Sequence, residues 1–211
     1  MKSKCKSVLI TAGPTWAPID SVRVISNIST GETGVLLSKE ALRRRYRTTL
    51  LLGPIGSTKI SSKINLIRFR YFKELQDRLH TQLYKKKFDL ILHLAAVSDY
   101  ELVKRSRFKM SSKRKRITLK LKKTEKIITL CKQIQPEAIL VLFKLEDSYS
   151  WRAIKKTLKA LDESKADLAV LNVMYDYVAH IMTKNRRLAK VKSKQRLAEK
   201  LFDIVGEKIR K

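Results

Sequence analysis

Six short apolar runs recur along the chain, separated by polar segments. They are residues 8–12, 48–52, 64–69, 90–97, 139–145 and 168–173. The runs are continuous rather than alternating, which is typical of strands covered on both faces, as in parallel sheets. The third run is the weakest, because Arg68 interrupts it and Arg70 follows it. The pattern predicts six mostly buried strands, the first starting close to the amino terminus.

The segments between these runs have helical spacing. Apolar residues three and four positions apart form one stripe in each of three segments: Phe72, Leu75, Leu79 and Leu83; Trp151, Ile154, Leu158 and Leu161; Leu197, Leu201, Ile204 and Val205. A further helix is predicted over residues 33–46, with Ser29 or Thr30 capping its first turn. Strands alternating with helices imply right-handed βαβ units. We predict a single domain over residues 1–211, an α/β, three-layer, doubly wound Rossmann-like fold with a mostly parallel sheet.

Residues 102–123 interrupt this alternation. They contain eleven cations and no acid. In the second half, Ile117, Leu119 and Leu121 alternate with polar residues, which indicates a half-exposed strand. We expect a mobile basic loop followed by a flap strand here.

Charge is the most unusual bulk property, with 48 Lys plus Arg against 19 Asp plus Glu and a formal net charge of +29. Such a field attracts polyanions, so nucleic-acid binding is a rival function. The cations are nevertheless spread over residues 43–45, 85–87, 102–123 and 184–200, as a generally basic surface would be. We therefore do not expect nucleic acid as the main partner.

Several other classes of protein are excluded by composition. No run approaches the roughly 20 apolar residues needed to cross a membrane. The amino-terminal apolar patch is too short for a secretion signal, so we expect a cytoplasmic protein. Cys5 and Cys131 are far apart, and His80, His93 and His180 are scattered, which argues against a disulfide framework and against a metal site made of protein ligands alone.

The candidate chemistry falls at strand ends, where doubly wound sheets bind ligands. Gly13 follows the first strand, and Gly31 opens the next helix. These turns are either anion-binding sites or tight connections, and they lack the GxGxxG fingerprint of dinucleotide binding. Asp99, after the fourth run, is either a ligand for hydroxyl or amino groups or a turn cap. Asn27 is either a turn residue or a neutral group that orients a carbonyl.

Two aromatic residues can each be interpreted as ligand-binding or as packing residues. Trp16 could stack on a base, although such a residue more often packs against its own loop. Phe143 is most simply a core residue of its strand. A short-chain NAD-dependent reductase is excluded, because the GxxxGxG or GxGxxG turn that such an enzyme needs is missing.

Taken in order, these motifs resemble those of the phosphopantothenate–cysteine ligases, over nearly the whole chain. Residues 13–34 read GPTWAPIDSVRVISNISTGETG, and residues 95–100 read AAVSDY. Further matching segments are KMSS at 109–112, LKKTEKII at 121–128, LFKL at 142–145 and ADLAVLN at 166–172. Their forms are similar to the short stand-alone ligases.

The resemblance implies a two-step reaction. A nucleoside triphosphate, CTP in preference to ATP, activates the carboxylate of 4'-phosphopantothenate as an acyl nucleotidylate in the presence of Mg²⁺. The amine of cysteine then forms the amide on the pathway to coenzyme A. The resemblance also implies a homodimer, and we expect the flavin-dependent decarboxylase on a separate chain, because no such segment precedes Met1.

The resemblance also assigns residues. Catalytic roles fall on Asn27, Lys109 and Arg23, and substrate binding on Asn27, Ser29, Thr30 and Gly31. The nucleotide is expected at Gly13, Thr15, Ala95, Ala96, Asp99, Lys109, Thr124, Glu125, Lys126, Ile127, Phe143, Lys159 and Lys165.

Four positions depart from the family pattern: Ala17, Leu142, Glu163 and Val173. At Glu163 the family has a second nucleotide lysine, for which Lys165 is the expected substitute. The departures leave open a relative that keeps the fold without turnover. Asn27, Asp99 and Lys109 are all present, and we therefore expect an active enzyme.

Overall fold

The computed structural model describes residues 6–113 and 115–210. Its strands, in chain order, are β1 (Ser7–Ala12), β2 (Trp16–Pro18), β3 (Val24–Ser26), β4 (Arg47–Leu52), β5 (Asn65–Arg68), β6 (Leu90–His93), β7 (Tyr100–Leu102), β8 (Leu121–Lys123), β9 (Ile139–Glu146), β10 (Leu168–Val173), β11 (Val178–Met182) and β12 (Arg187–Val191). Its helices are α1 (Glu32–Arg43), α2 (Phe72–Lys85), α3 (Thr129–Ile134), α4 (Trp151–Ser164) and α5 (Lys194–Arg210). Cys5 lies outside the described residues.

Eight strands form one sheet in the order β12-β11-β10-β9-β6-β1-β4-β5. The six strands from β10 to β5 are parallel, and β11 and β12 extend the sheet in antiparallel fashion. The chain winds outward from β1 through β4 to β5, then returns to β6 and winds the other way to β10. The strand order therefore reverses between β1 and β6, and this is the point at which doubly wound sheets open a crevice for ligands.

The helices cover both faces. On one face, apolar side chains of α1 and α5, such as Leu37 and Leu201, pack with Val8 and Ile10 of β1. On the other face, Leu75 of α2 and Cys131 of α3 pack with Leu9, and α4 covers the part of the sheet near β10. The three-layer, doubly wound fold with a mostly parallel sheet is confirmed.

All six predicted strands are present, with differences at their ends. The fourth is shorter than predicted: β6 stops at His93, because the chain then turns at the sheet edge and Ala96 bonds to Gly13 instead of continuing the ladder. β11 and β12 were not predicted as strands. The flap strand was predicted too early, since the alternating residues before Leu121 form no strand and β8 pairs with β7 only over three positions.

The predicted cap of the first long helix is partly confirmed. Gly31, rather than Ser29 or Thr30, occupies the N-cap position, with φ 68°, a left-handed conformation that glycine adopts without steric cost. Thr30 Oγ1 nevertheless accepts a hydrogen bond from the Glu32 N–H of the first turn, at 3.4 Å. Gly34, one turn later, allows the close approach of α1 to β1, because a Cβ there would lie 2.2 Å from that of Ala12. These two glycines set the start of α1 against the end of β1.

Candidate active site at the strand ends

The loops that follow β1, β4 and β6 meet at the point where the strand order reverses. Gly13 turns the chain after β1 with φ 78°, and its carbonyl accepts a hydrogen bond from the Ala96 N–H at 2.9 Å. The Gly53 N–H bonds to the Ala12 carbonyl at 2.9 Å. A Cβ on Gly13 would approach the Gly53 nitrogen to 3.1 Å, so a larger residue is disfavoured by both space and conformation. The sequence motifs at 13 and 95–96 are therefore in direct contact.

Asn27 joins this junction from the β2–β3 hairpin. Its Nδ2 donates to the carbonyls of Ala96 and Val97, both at 3.2 Å. An amide nitrogen has two N–H groups, so both are used, and Oδ1 remains as an acceptor. Among the residues that the structure describes, no donor reaches Oδ1, and the side chain is exposed. Asn27 thus presents a neutral acceptor next to the Ala95–Ala96 loop.

A cleft of about 990 Å³ opens beside Asn27. It is lined by Pro14, Trp16, Ser26, Asn27, Ile28, Ser29, Thr30, Glu32, Val35, Leu36, Lys39, Pro54, Ile55, Gly56, Ser57 and Thr58. Three of the four predicted substrate residues are among them, and the fourth, Gly31, begins α1 at the same wall. Lys39 adds a cation, whereas the carboxylate of Glu32 is paired with Lys194.

Two buried threonine hydroxyl groups, those of Thr11 and Thr15, hold the loop that follows β6. Thr15 is fully buried, and its Oγ1 accepts from the Ser98 N–H at 2.8 Å, so any contact with a nucleotide would come from its backbone. The Ala95 N–H donates to Thr11 Oγ1 at 3.2 Å, and that hydroxyl lies 3.1 Å from His93 Nδ1. Neither Thr11 nor His93 was identified from the sequence. Their place at the ends of adjacent strands could have indicated them.

The second group of predicted nucleotide residues lies beside the first. Thr124 bonds through its hydroxyl to the Ser98 carbonyl at 2.7 Å and through its N–H to the Asp99 carbonyl at 2.9 Å. The Asp99 carboxylate is exposed, and within residues 6–113 and 115–210 it forms no hydrogen bond or ion pair. Glu125 accepts from Gln76 on α2 at 3.2 Å. Asp99 is therefore the free carboxylate of this part of the site.

A chain of ion pairs surrounds Glu163 on α4. Lys126 Nζ lies 2.8 Å from its Oε2, and Lys159 Nζ lies 3.8 Å from its Oε1. The Lys126 ammonium, more than any other neighbour, lowers the pKa of Glu163. Lys165 caps the carboxyl end of α4, just before β10 begins. It therefore lies towards the amino-terminal edge of the sheet, away from the loops that carry Gly13 and Ala96.

The remaining predicted residues are not among those that line the cleft. Phe143 is partly buried and packs against the core on the α1 face. Ile127 is buried, so it can offer only its backbone. Lys109 is exposed, and Arg23 reaches the Lys109 loop through the Met110 carbonyl at 2.9 Å.

A smaller cleft of about 380 Å³ lies on the other side of Trp16. Tyr71, Phe72, Tyr100 and Thr124 line it, and Trp16 is a wall of both clefts. The Trp16 N–H bonds to the Arg70 carbonyl at 2.7 Å, which fixes the tryptophan at this position. Tyr71 and Phe72 were not proposed as site residues from the sequence, because α2 alone accounts for them.

Two kinds of feature are absent from the described part of the chain. No group of three or more His, Cys, Asp or Glu residues there is arranged to hold a metal ion. No helix within it has the length and apolar character needed to cross a bilayer.

Comparison with known proteins places the chain in a family. Residues 3–208 match the DNA/pantothenate metabolism flavoprotein C-terminal domain. The chain is similar to the coenzyme A biosynthesis bifunctional protein CoaBC of Thermococcus kodakarensis, with 33% identity over 205 residues, which cover 94% of this chain and 50% of that protein. It spans about half the length of the curated relatives that it matches.

Solved structures show the same likeness. The crystal structure of the DNA/pantothenate metabolism flavoprotein from Streptococcus pneumoniae superposes with a TM-score of 0.86 at 26% identity, covering 96% of this chain and 99% of that one. The Cab2 H337A mutant in complex with phosphopantothenate-cysteine shares the fold, with a TM-score of 0.81 at 20% identity and coverage of 97% and 86%. The chain therefore belongs to the DNA/pantothenate metabolism flavoprotein C-terminal domain family.

Proposed function

We propose that this chain is a phosphopantothenate–cysteine ligase, which joins the carboxylate of 4'-phosphopantothenate to the amine of cysteine on the pathway to coenzyme A. The observation that carries the proposal is the placement of Asn27. Its amide is held by the carbonyls of Ala96 and Val97, where the strand order reverses, and its free Oδ1 lies beside a large cleft. Membership of the family supports the same assignment.

The proposed reaction has two steps. A carboxylate oxygen of phosphopantothenate attacks the α-phosphorus of a nucleoside triphosphate, and pyrophosphate leaves with the electrons of the broken P–O bond. The neutral amine of cysteine then attacks the acyl carbon. The nucleoside monophosphate leaves, and the nitrogen loses a proton to give the amide.

The first step brings one anion to another, so cations must offset the charge that accumulates on the phosphates. Lys109 on the basic loop and Lys39 in the cleft wall are candidates for this role. Asn27 suits the neutral groups of the substrates instead, because its free Oδ1 can accept a hydrogen bond from a hydroxyl, an amide N–H or the amine of cysteine without bringing a charge. Arg23 is proposed to act in the second step.

The cleft beside Asn27 has the size of a ligand pocket, usually about 300–1,000 Å³, and its lining includes three residues assigned to the substrate and none assigned to the nucleotide. Mg²⁺ usually binds through one or two carboxylates together with substrate phosphates rather than through a cage of protein ligands. The exposed, unpaired Asp99 can supply one such carboxylate, and the described residues contain no fuller set. The metal would neutralise phosphate charge while the side chains of the cleft orient the two substrates.

We propose CTP in preference to ATP as the nucleotide, on the family resemblance alone. Leu142 and Glu163 are the positions at which this preference could have changed. Lys126 and Lys159 are proposed to contact the nucleotide, and both are ion-paired with Glu163.

A homodimer is also part of the proposal. Large apolar side chains are exposed on and beside the two small sheets: Val22, Val24, Ile28, Tyr100, Val103 and Leu121. Two-stranded sheets are only marginally stable when their faces stay in water. A second copy of the chain, packed against β2, β3, β7 and β8, would cover these residues.

The test is pyrophosphate release by the purified chain given phosphopantothenate, Mg²⁺ and either CTP or ATP, with and without cysteine. We expect release with CTP, and amide product only when cysteine is added. Absence of release with both nucleotides would refute the ligase assignment and favour a relative without turnover. A preference for ATP would correct the nucleotide alone.

A further inference from the structure

The turn of the β2–β3 hairpin holds a distant loop by its backbone. Asp20 Oδ2 accepts a hydrogen bond from the Met110 N–H at 3.0 Å, and Arg23 Nη2 donates to the Met110 carbonyl at 2.9 Å. Both polar groups of one peptide residue are thus engaged by side chains about 90 positions away in sequence. The Ser106 N–H adds a further link, to the Ile19 carbonyl at 3.1 Å.

The two side chains that make this contact are themselves bonded. Arg23 Nε donates to Asp20 Oδ2 at 2.9 Å, and the Asp20 side chain is buried. Hydrogen bonds from the Arg23 guanidinium, followed by that from the Met110 N–H, hold the pKa of Asp20 well below its usual range. The carboxylate is therefore charged at every pH at which the protein would be assayed, and charge-assisted bonds of this kind are the stronger ones.

The two oxygens of Asp20 have separate tasks. Oδ1 accepts from the N–H groups of Val22 and Arg23, both at 2.9 Å, which forms the turn of the hairpin itself. Oδ2 accepts from Arg23 and Met110. A turn residue needs only the first oxygen, so the bonds of the second are a contact between the hairpin and the loop rather than part of the turn.

The hairpin connects this contact to the active site. Arg23 precedes β3, and Asn27 follows it, so the two residues are separated by a strand of three residues, about 10 Å long. At the Asn27 end the hairpin is bonded to Ala96 and Val97. The β2–β3 hairpin is therefore hydrogen-bonded to Met110 at one end and to the loop of Ala96 and Val97 at the other.

We propose that Asp20 is a positioning residue: together with Arg23 it fixes the backbone of Met110 and so holds the adjacent Lys109 at the active site. The role rests on the proposed function, because Lys109 is the cation assigned to the first step. Asp20 itself touches no substrate. Residues 103–120, between β7 and β8, contain nine cations and no acid, and their mutual repulsion opposes an ordered loop. Without the contact to the hairpin, the loop would have to be ordered again in each turnover.

The matched variant is Asp20→Asn. Asparagine also forms this type of turn, so its Oδ1 keeps the bonds to Val22 and Arg23, whereas its NH₂ group faces three donors where Oδ2 had accepted. The control is Asp203→Asn, which breaks another aspartate–arginine pair, to Arg44 at 2.6 Å, remote from the loop.

Two measurements test the role. Hydrogen exchange followed by mass spectrometry should show faster exchange in residues 106–113 of Asp20→Asn, with the strands β1 and β4 unchanged. Pyrophosphate release should fall at least about tenfold in kcat, while the dissociation constant of the nucleotide changes less than about threefold, because this loop supplies only one of the residues assigned to the nucleotide. Asp203→Asn should change neither quantity.

The outcomes separate this role from the ligase assignment. Unchanged exchange in residues 106–113 would overturn the contact whether or not the chain has ligase activity. Faster exchange with unaltered kcat would overturn the positioning role. If the unmodified chain released no pyrophosphate, the ligase assignment would fail, and the inferred role of Asp20 in catalysis would fail with it, whereas the exchange result would still decide the contact.

Discussion

Thr11 at the end of β1 and His93 at the end of β6 form a buried polar pair beneath the active-site loops, with Oγ1 3.1 Å from Nδ1. The Thr11 hydroxyl accepts from the Ala95 N–H, and it either donates to His93 Nδ1 or accepts from it, according to the histidine tautomer. Burial lowers the pKa of His93 to about 4, which keeps the ring neutral. The pair therefore links the end of β6 to the start of the Ala95–Ala96 loop.

Thr11→Val should weaken both the fold and the reaction. The change keeps the shape but leaves the Ala95 N–H and His93 Nδ1 without partners, at a cost of about 1–3 kcal/mol in the free energy of unfolding. Urea denaturation measures this cost. Because the loop also holds Asn27, kcat should fall at temperatures at which the variant stays folded.

The control for this change is Thr48→Val. The Thr48 hydroxyl is buried and bonds to the Tyr46 carbonyl, at the opposite end of the sheet from the cleft. We expect a similar loss of stability with unaltered kcat. Equal kinetic effects of the two variants would contradict a special role for Thr11.

Stability should decline as the solution is made mildly acidic. Burial lowers the pKa of both His93 and His180 to about 4, and Arg187 and Lys190 add to the effect at His180. The unfolded chain takes up protons near the ordinary histidine value of about 6.5, so between about pH 6.5 and 4 each histidine costs about 1.4 kcal/mol per pH unit. Above that window the two histidines leave stability independent of pH.

Urea unfolding across this pH range provides the measurement. His180 has a buried Nδ1 without a partner among the described residues and stacks on Tyr149, so His180→Phe should keep the packing and reduce the slope by about half. The exposed His80 supplies the control, His80→Gln, which should leave the slope intact. A slope that His180→Phe did not alter would mean that other groups take up the protons.

Asn27→Asp should stop product formation while the nucleotide still binds. An ionised carboxylate has no N–H to donate and would face the carbonyl oxygens of Ala96 and Val97, to which Nδ2 now donates at 3.2 Å. Calorimetric titration with CTP or ATP measures binding, and amide formation measures turnover. Asn185→Asp, in an exposed turn, is the control, and normal product formation by Asn27→Asp would remove Asn27 from the mechanism.

Lys109→Gln should abolish the first step. Glutamine keeps most of the length of the side chain and removes the charge that is proposed to face the phosphates, and loss of one such group costs about a hundredfold or more in kcat. Lys113→Gln changes the same charge in the same loop and should retain most activity. Near-normal pyrophosphate release by Lys109→Gln would show that another cation offsets the charge on the phosphates.

Glu163→Gln should improve nucleotide binding. The exposed Glu163 pairs with Lys126 and Lys159, and the neutral amide would release both cations. The KM of the nucleotide should then fall about two- to fivefold. Asp162→Asn breaks a neighbouring pair of the same helix, with Lys184, and should leave KM unaltered. A KM that rose in Glu163→Gln would contradict a nucleotide contact by these lysines.

The sequence by itself determined the main architecture and the position of the chemistry. Continuous apolar runs identify the strands of a covered parallel sheet, because each buries side chains on both faces, and residues 168–173 match β10 without error. Motifs after β1 and β6 indicate the ligand edge, since parallel strands end at one side of the sheet. The sequence therefore predicts that Gly13 and Asn27 lie close together.

Only the tertiary structure decided which of these residues touch. Strands of three residues such as β2 and β7 are too short to show a period, so neither was predicted. The bonds of Asp20 to Met110 and of Thr11 to His93 join positions 80 to 90 residues apart, and no local propensity encodes such a distance. The register of β1 against β6, and the hairpin turn beside the basic loop, bring these partners together because the fold places their backbones side by side.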